Sequence, residues 1–171
     1  YYADLENNKK VEAQMKAELD RIFQEIEWSK NPYVGSAMTW PVNNYRTITS
    51  PYGPRFNNTD FHTGTDISGS GINGKEVLAA AGGTVRIANW NHSPGNGYGI
   101  YVIIDHGVNE NGQSVSTLYA HLSNIQVQPG QEVKPGQVIG NVGSTGWSTV
   151  PHLHFEVRLD GKHTNSLSYI Q

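Results

Sequence analysis

The sequence predicts a mainly β domain preceded by one long α-helix. Three observations carry this. Residues 3–28 contain no Gly or Pro and repeat apolar side chains at helical spacing. From residue 40 onward, short β-like runs alternate with Gly, Pro and Asn. The 171 residues include 19 glycines and 8 prolines, a supply of turn formers that suits many short strands. The resulting division is a helix over 1–28, a linker over 29–39 and a β domain over 40–171.

In the helix, "ADLENNKKVEAQMKAELDRIFQEIEW" is rich in helix formers. Met15, Leu19, Ile22 and Ile26 follow a 4-3-4 spacing and form one apolar stripe. Asn8 and Glu12 interrupt that stripe upstream. Two readings stand side by side: the stub of a coiled coil that positions or inhibits the domain, with a coiled-coil or regulatory protein as partner, or a helix that packs on the domain surface. "SKNPYVGSA" has breaker chemistry and starts the linker. Further on, "EVLAAAGGTVRIANW", "YGIYVIIDHG", "VSTLYAHL" and "HLHFEV" read as strands. "VQPGQEVKPGQVIGNVG" is a near-repeat in which glycines turn the chain sharply. Many short strands with turn signals point to a sandwich or barrel.

Bulk properties narrow the function. A net charge of −3 and the lack of a basic, aromatic-interleaved run argue against nucleic acid as a partner. With no cysteine there are no disulfides and no thiolate metal ligands. No stretch of about 18 apolar residues is present. The opening "YYADLENN" reads as part of a longer precursor, so any targeting or membrane-anchoring segment is expected outside it.

Chemistry concentrates in three motifs. In "TVPHLHFEV", residues two apart share a strand face, so His152, His154 and Glu156 project to one side and Leu153, Phe155 and Val157 to the other. In "DFHTGTDISG", His62 and Asp66 are four apart, again on one face if the segment is extended. Imidazole and carboxylate are ordinary Zn²⁺ ligands, and His154 supplies a third from a distant strand. Three protein ligands with an open fourth position is the arrangement of a catalytic zinc. In "LYAHLS", alternation puts Thr117, Tyr119 and His121 on one face and Leu118, Ala120 and Leu122 on the other.

"WPV", "ITSPYGPR", "HTGTD", "AAAGGTV", "YGIYVIIDHG", "LYAHLS", "VKPGQVIGNVGSTG" and "PHLHFEV" together resemble the LytM/lysostaphin-type zinc metallopeptidases, the M23 peptidases, over roughly residues 40–170. The resemblance implies a β-sandwich of duplicated half-barrels and cleavage of peptide bonds in peptidoglycan cross-bridges or stems. It implies one zinc per chain held by His62, Asp66 and His154, and catalytic roles for His121 and His152. It also implies action outside the cytoplasm, in the cell wall, the periplasm or secreted. Where the family usually has Gly before "PHLHFE", this chain has Val150. The tyrosine that some glycine-bridge-cleaving members carry before the first ligand is missing from "RFNNTDF", which weakens a glycyl-glycine specificity.

Zinc would polarise the scissile carbonyl and acidify its water, and without a glutamate base His121 and His152 would share the proton and charge work. Glu156 reads equally as a carboxylate that orients a ring or as a solvated one. His106 reads as structural, His92 and His163 as exposed, and Arg55 either as a group that positions substrate or, by preference, as a brace for its turn. The competing function is a LytM-type regulatory module that activates an amidase; such relatives usually lack the ligands, so the full set favours the enzyme. A carrier module, suggested by a hairpin similar to lipoyl-type ones, fails because Lys134 lacks the usual Met or Asp neighbour.

Overall fold

The computed structural model describes residues 2–33, 37–58, 60–91, 97–146 and 148–170, with side chains from residue 10 onward except 11 and 12; His92 and the side chains of Asn8 and Glu12 lie outside that set. Helix α1 runs Tyr2–Glu25, ending three residues before the expected Trp28. The stop has a local cause. The Trp28 indole folds back, donates to the Phe23 carbonyl at 3.2 Å and stacks on the Phe23 ring at 5.8 Å. One of the carbonyls left open at the helix end is thereby satisfied.

Twelve strands follow among the described residues, ten of them in one antiparallel sheet: β1 (Ile48–Ser50), β2 (Gly53–Arg55), β3 (Asp60–His62), β4 (Thr65–Ile67), β5 (Glu76–Leu78), β6 (Gly83–Asn89), β7 (Ile100–Val108), β8 (Ser114–Ile125), β9 (Glu132–Val133), β10 (Val138–Val142), β11 (Leu153–Leu159) and β12 (Lys162–Thr164), which closes a hairpin on β11. The main sheet runs β1-β4-β11-β8-β7-β6-β9, with β10 bridging β5 and β8, while β2 and β3 form a separate two-stranded ribbon. In the near-repeat, Gly130 and Gly136 turn the chain at φ of 90° and 79°, a backbone region that glycine enters without a Cβ penalty. No helix among the described residues is long and apolar enough to cross a membrane.

Strand β7 explains where the helix goes. A sheet with one wet face alternates apolar and polar residues, but "IYVII" is apolar on both sides. Val102 and Ile104 face the main core with Tyr119, Phe155 and Val157. Tyr101 and Ile103 face the other way, where they meet Leu118, Ala120 and the helix residues Leu19 and Phe23. Ile22 and Ile26 pack at the edge of this second cluster. The apolar stripe of α1 is thus buried on the chain's own sheet, and Phe23, which lies off the expected stripe, is its most buried contact at 1% exposure. After the helix, Ser29 N–H donates to Asp105 and residues 31–33 pair alongside Val108, so this segment is tied to β7.

One expected alternation is broken. Thr117 to Ala120 alternate as read, but His121 has a φ of +62°, and the β7–β8 register slips between Ile100↔Leu122 and Val102↔Tyr119. The extra residue is a β-bulge, which reverses the faces beyond it. Leu122 therefore joins Tyr119 in the core, and His121 leaves the Tyr119 face and sits 6.0 Å from the His154 ring.

Candidate metal centre

Register alone brings two of the residues together. His154 on β11 lies directly opposite Asp66 on β4, and on its other side opposite Ala120 on β8. Paired residues across an antiparallel sheet project to the same face, so Asp66 and His154 emerge side by side. His62 arrives differently. It ends β3, in the separate ribbon opposite Gly53, and the chain turns at Thr63–Gly64 before β4 begins. His62 and Asp66 are therefore not on one extended face; a turn brings them together. That turn needs glycine at 64, where a Cβ would lie 2.5 Å from the Phe155 carbonyl oxygen and 2.9 Å from His154 Cε1.

The three ligating atoms form a tight triangle. His62 Nε2 is 3.2 Å from Asp66 Oδ1, His154 Nδ1 is 3.0 Å from the same oxygen, and the two nitrogens are 3.2 Å apart. Tetrahedral ligands at about 2.1 Å from a zinc ion stand about 3.4 Å apart, so the donor set fits such an ion with small outward adjustments. The ring nitrogens that face away support the same fit. His62 Nδ1 lies 2.9 Å from the Pro51 carbonyl, which can only accept, so this nitrogen donates and Nε2 faces the triangle. His154 Nε2 lies 2.7 Å from Glu156 Oε2, which turns Nδ1 inward. Outer partners of this kind fix the tautomer of metal-binding histidines.

His121 and His152 flank the triangle. His121 Nδ1 donates to the Thr145 carbonyl at 2.8 Å, and His152 Nδ1 to the Val150 carbonyl at 2.9 Å. Both rings are thus held with Nε2 as the remaining nitrogen; their centroids are 4.8 Å apart, and His152 Nε2 is 3.7 Å from Asp66 Oδ1. His152 precedes β11 and is held by a bridge to Gly143. All five residues line one cleft of about 390 Å³, to which α1 contributes Met15 and Lys16 and the β domain Phe56, Phe61 and Tyr98.

The electrostatics separate the histidines. Burial, and then the neighbouring His154 and His152, push His121 down to about 3, so its ring is neutral at physiological pH. Burial also opposes charge on His154, but hydrogen bonds to Asp66 and Glu156 outweigh it and raise the ring to about 9 in the metal-free protein. His154 then donates from both nitrogens, and a metal would take the place of the inner proton. Burial likewise opposes ionisation of Glu156, but the Arg158 guanidinium and His154 hold its carboxyl well below the usual range.

Glu156 is not a solvated carboxylate. It is fully buried, accepting from Thr63 Oγ1 and His154 at one oxygen and from Arg158 Nε at the other, all at 2.7 Å. Arg158 was missed from sequence, although it continues the two-residue alternation from His152 through His154 and Glu156. His163 is not exposed as expected: it is half-buried, bonded to the Tyr52 hydroxyl at 2.9 Å and packed on Phe61. Its hairpin partner β11 brings it against the β2–β3 ribbon. His106 is buried between the Gly82 carbonyl and Thr117, and Arg55 braces its turn through Asp60 at 2.6 Å and Ser50.

Known proteins similar to this chain include peptidases and a murein hydrolase activator. The chain is 41% identical over 128 residues to the DD-carboxypeptidase/endopeptidase Mpg of Neisseria meningitidis, covering 72% of this chain and 27% of that protein. It is 42% identical over 107 residues to the murein hydrolase activator NlpD of Escherichia coli, covering 63% and 25%. The chain thus spans about a quarter of these relatives. A crystal structure of a zinc-containing peptidase from Vibrio cholerae superposes with a TM-score of 0.64 at 35% identity, covering 75% of this chain and 39% of that one. The model of peptidase family M23 matches residues 60–166, a span that includes His62, Asp66, His121, His152 and His154 and exceeds half the chain. The chain belongs to peptidase family M23.

Proposed function

We propose that this chain is a zinc-dependent endopeptidase domain that hydrolyses peptide bonds in bacterial peptidoglycan, in cross-links or stem peptides, outside the cytoplasm. One zinc per chain is held by His62, Asp66 and His154. The observation that carries the reading is the arrangement of four imidazoles around one point. Each has its outer nitrogen engaged, three by backbone carbonyls and one by a carboxylate. A set of structural histidines has no reason to share that orientation.

Zinc, when bound, polarises the scissile carbonyl and acidifies water at the site. The protein's own groups do the rest. The neutral His121 ring and the His152 ring between them accept the proton of the attacking water, donate to the oxyanion and return a proton to the leaving amine. Their outer bonds to Thr145 and Val150 keep both rings aimed during these transfers. Glu156 holds His154 in its ligating tautomer. The aromatic walls Phe56, Phe61 and Tyr98 exclude water on the flanks of the substrate peptide.

The relative named as a murein hydrolase activator favours a second reading, in which the domain stimulates an amidase without cutting peptide itself. Muropeptide analysis by mass spectrometry after digestion of purified walls separates the two. New peptide ends released by the domain alone, and lost on metal removal, are the expected result. His121→Ala and His152→Ala should keep near-stoichiometric zinc and lose at least about a hundredfold in rate. No cleavage by the domain, with stimulation of an added amidase, would replace the enzyme by the activator. Loss of zinc in His152→Ala would show that His152 is a ligand.

A further inference from the structure

A continuous run of polar contacts joins helix α1 to the proposed metal site. His154 Nδ1 faces Asp66 at 3.0 Å, and its Nε2 donates to Glu156 Oε2 at 2.7 Å. Arg158 Nε donates to the other Glu156 oxygen at 2.7 Å, and Arg158 Nη1 donates to Asp20 Oδ1 of the helix at 2.9 Å. The same Nη1 reaches the Gly161 carbonyl at 3.0 Å, and the guanidinium lies 4.3 Å from the centroid of the Phe23 ring, also on the helix. One turn earlier on the same helix face, Lys16 reaches Asp60 and the Phe61 carbonyl, next to His62. The helix therefore touches both strands that deliver histidines to the triangle.

We infer that Asp20 and Arg158 are positioning residues, through which docking of α1 sets the orientation of His154 as a metal ligand. The inference rests on the zinc-centre reading above. Glu156 is fully buried, so hydrogen bonds to both its oxygens, with no help from water, fix where it points. Arg158 pins the second oxygen, leaving the first for Thr63 and His154. Asp20 and Phe23 in turn hold the guanidinium in place and shield it from water. Without the helix contacts, the Gly161 carbonyl and Glu156 alone hold Arg158, and its guanidinium is opened to water that competes for those bonds. Glu156 is then less firmly anchored, and the bond that aims His154 Nδ1 at the triangle weakens. By linkage, a metal that needs this orientation also tightens the helix on the sheet. An ion pair that only fastened the helix would leave the metal site indifferent to Asp20.

The test uses the full chain and zinc itself. Asp20 is the exposed end of the run, with 57% of its side chain accessible, so changing it leaves the core intact. Zinc dissociation constants are measured by competition with a chromophoric chelator, and the visible spectrum of the cobalt(II)-substituted protein reports ligand geometry. Removing a direct outer partner of a ligand weakens metal binding about 10–100-fold. Arg158→Gln, one bond further out, should fall at the low end of that range, and Asp20→Ala should weaken zinc about three- to tenfold. Both should alter the cobalt spectrum. Asp20→Glu should restore both readouts, and Arg21→Ala, at a surface ion pair on the same helix, should change neither. Zinc should also slow proteolysis within α1 in the wild type and not in Asp20→Ala. A wild type that binds zinc, with a folded Asp20→Ala of unchanged affinity and unchanged cobalt spectrum, overturns this inference and leaves the enzyme reading standing. A wild type that takes up no zinc overturns both.

Discussion

Replacing Gly64 with alanine tests the turn that assembles the site. An added Cβ would lie 2.5 Å from the Phe155 carbonyl oxygen and 2.9 Å from both His154 Cε1 and Glu156 Cγ. Ordinary contact begins at 3.4 Å, so the chain at 64 and strand β11 must separate by about 0.9 Å at the oxygen and about 0.5 Å at the two side chains. The oxygen is backbone in a paired strand and cannot rotate away. The backbone at 64 is not in the left-handed region, so the effect is one of contact and not of forbidden φ. Overpacking of this kind costs about 1–3 kcal/mol, or a melting temperature lower by about 2–12 °C for a chain of this size. The metal site suffers more than the fold, because ligand distances tolerate about 0.2 Å. Zinc affinity should fall at least about tenfold, measured by chelator competition beside thermal melting of the same sample. A Gly64→Ala protein with wild-type zinc affinity and a melting point within about 1 °C of wild type would refute the reasoning.

Truncating Phe23, which is buried between the sheet, Trp28 and Arg158, should destabilise the protein by about 3–5 kcal/mol, seen in denaturant melts and in the fluorescence of its stacking partner Trp28. His106 gives a pH dependence away from the metal site. Burial drives its ring from 6.5 down to about 4, only partly offset by the Gly82 carbonyl and Asp105. The unfolded chain therefore binds more protons between those values, and stability, complete above about pH 6.5, declines by about 3 kcal/mol as pH falls toward 4. The difference in melting between wild type and His106→Gln should narrow across that window; an unchanged difference would remove His106 from the account. Dialysis against a strong chelator should lower the melting temperature of wild type, and stoichiometric zinc should restore it, by the stabilisation expected of a ligand that binds only the folded state.

Local periodicity carried much of this protein. A strand's side chains alternate because of its own backbone geometry, so "PHLHFEV" by itself placed His154 and Glu156 on one face and Leu153, Phe155 and Val157 in the core, and the same reasoning extended by two residues reaches Arg158. The 4-3-4 stripe of α1 was legible for the same reason, as an amphipathic surface in need of cover. What covers it was not, since the helix periodicity is identical for a coiled-coil partner and for a sheet; the doubly apolar run in β7, not used in reading the sequence, is the feature that matches cover by the helix. His121 shows the limit from the other side. Its alternation was read from neighbours, but a bulge set by the register with β7 reversed it. His62 and Asp66 were paired correctly by spacing and wrongly by geometry, because a turn packed against Phe155 joins them, not an extended strand. Asp20 and Arg158 meet across 138 positions of sequence. The sequence by itself determined which side chains share a face, because that depends on adjacent peptide units; only the tertiary structure decided which faces meet, because that depends on packing between segments far apart in the chain.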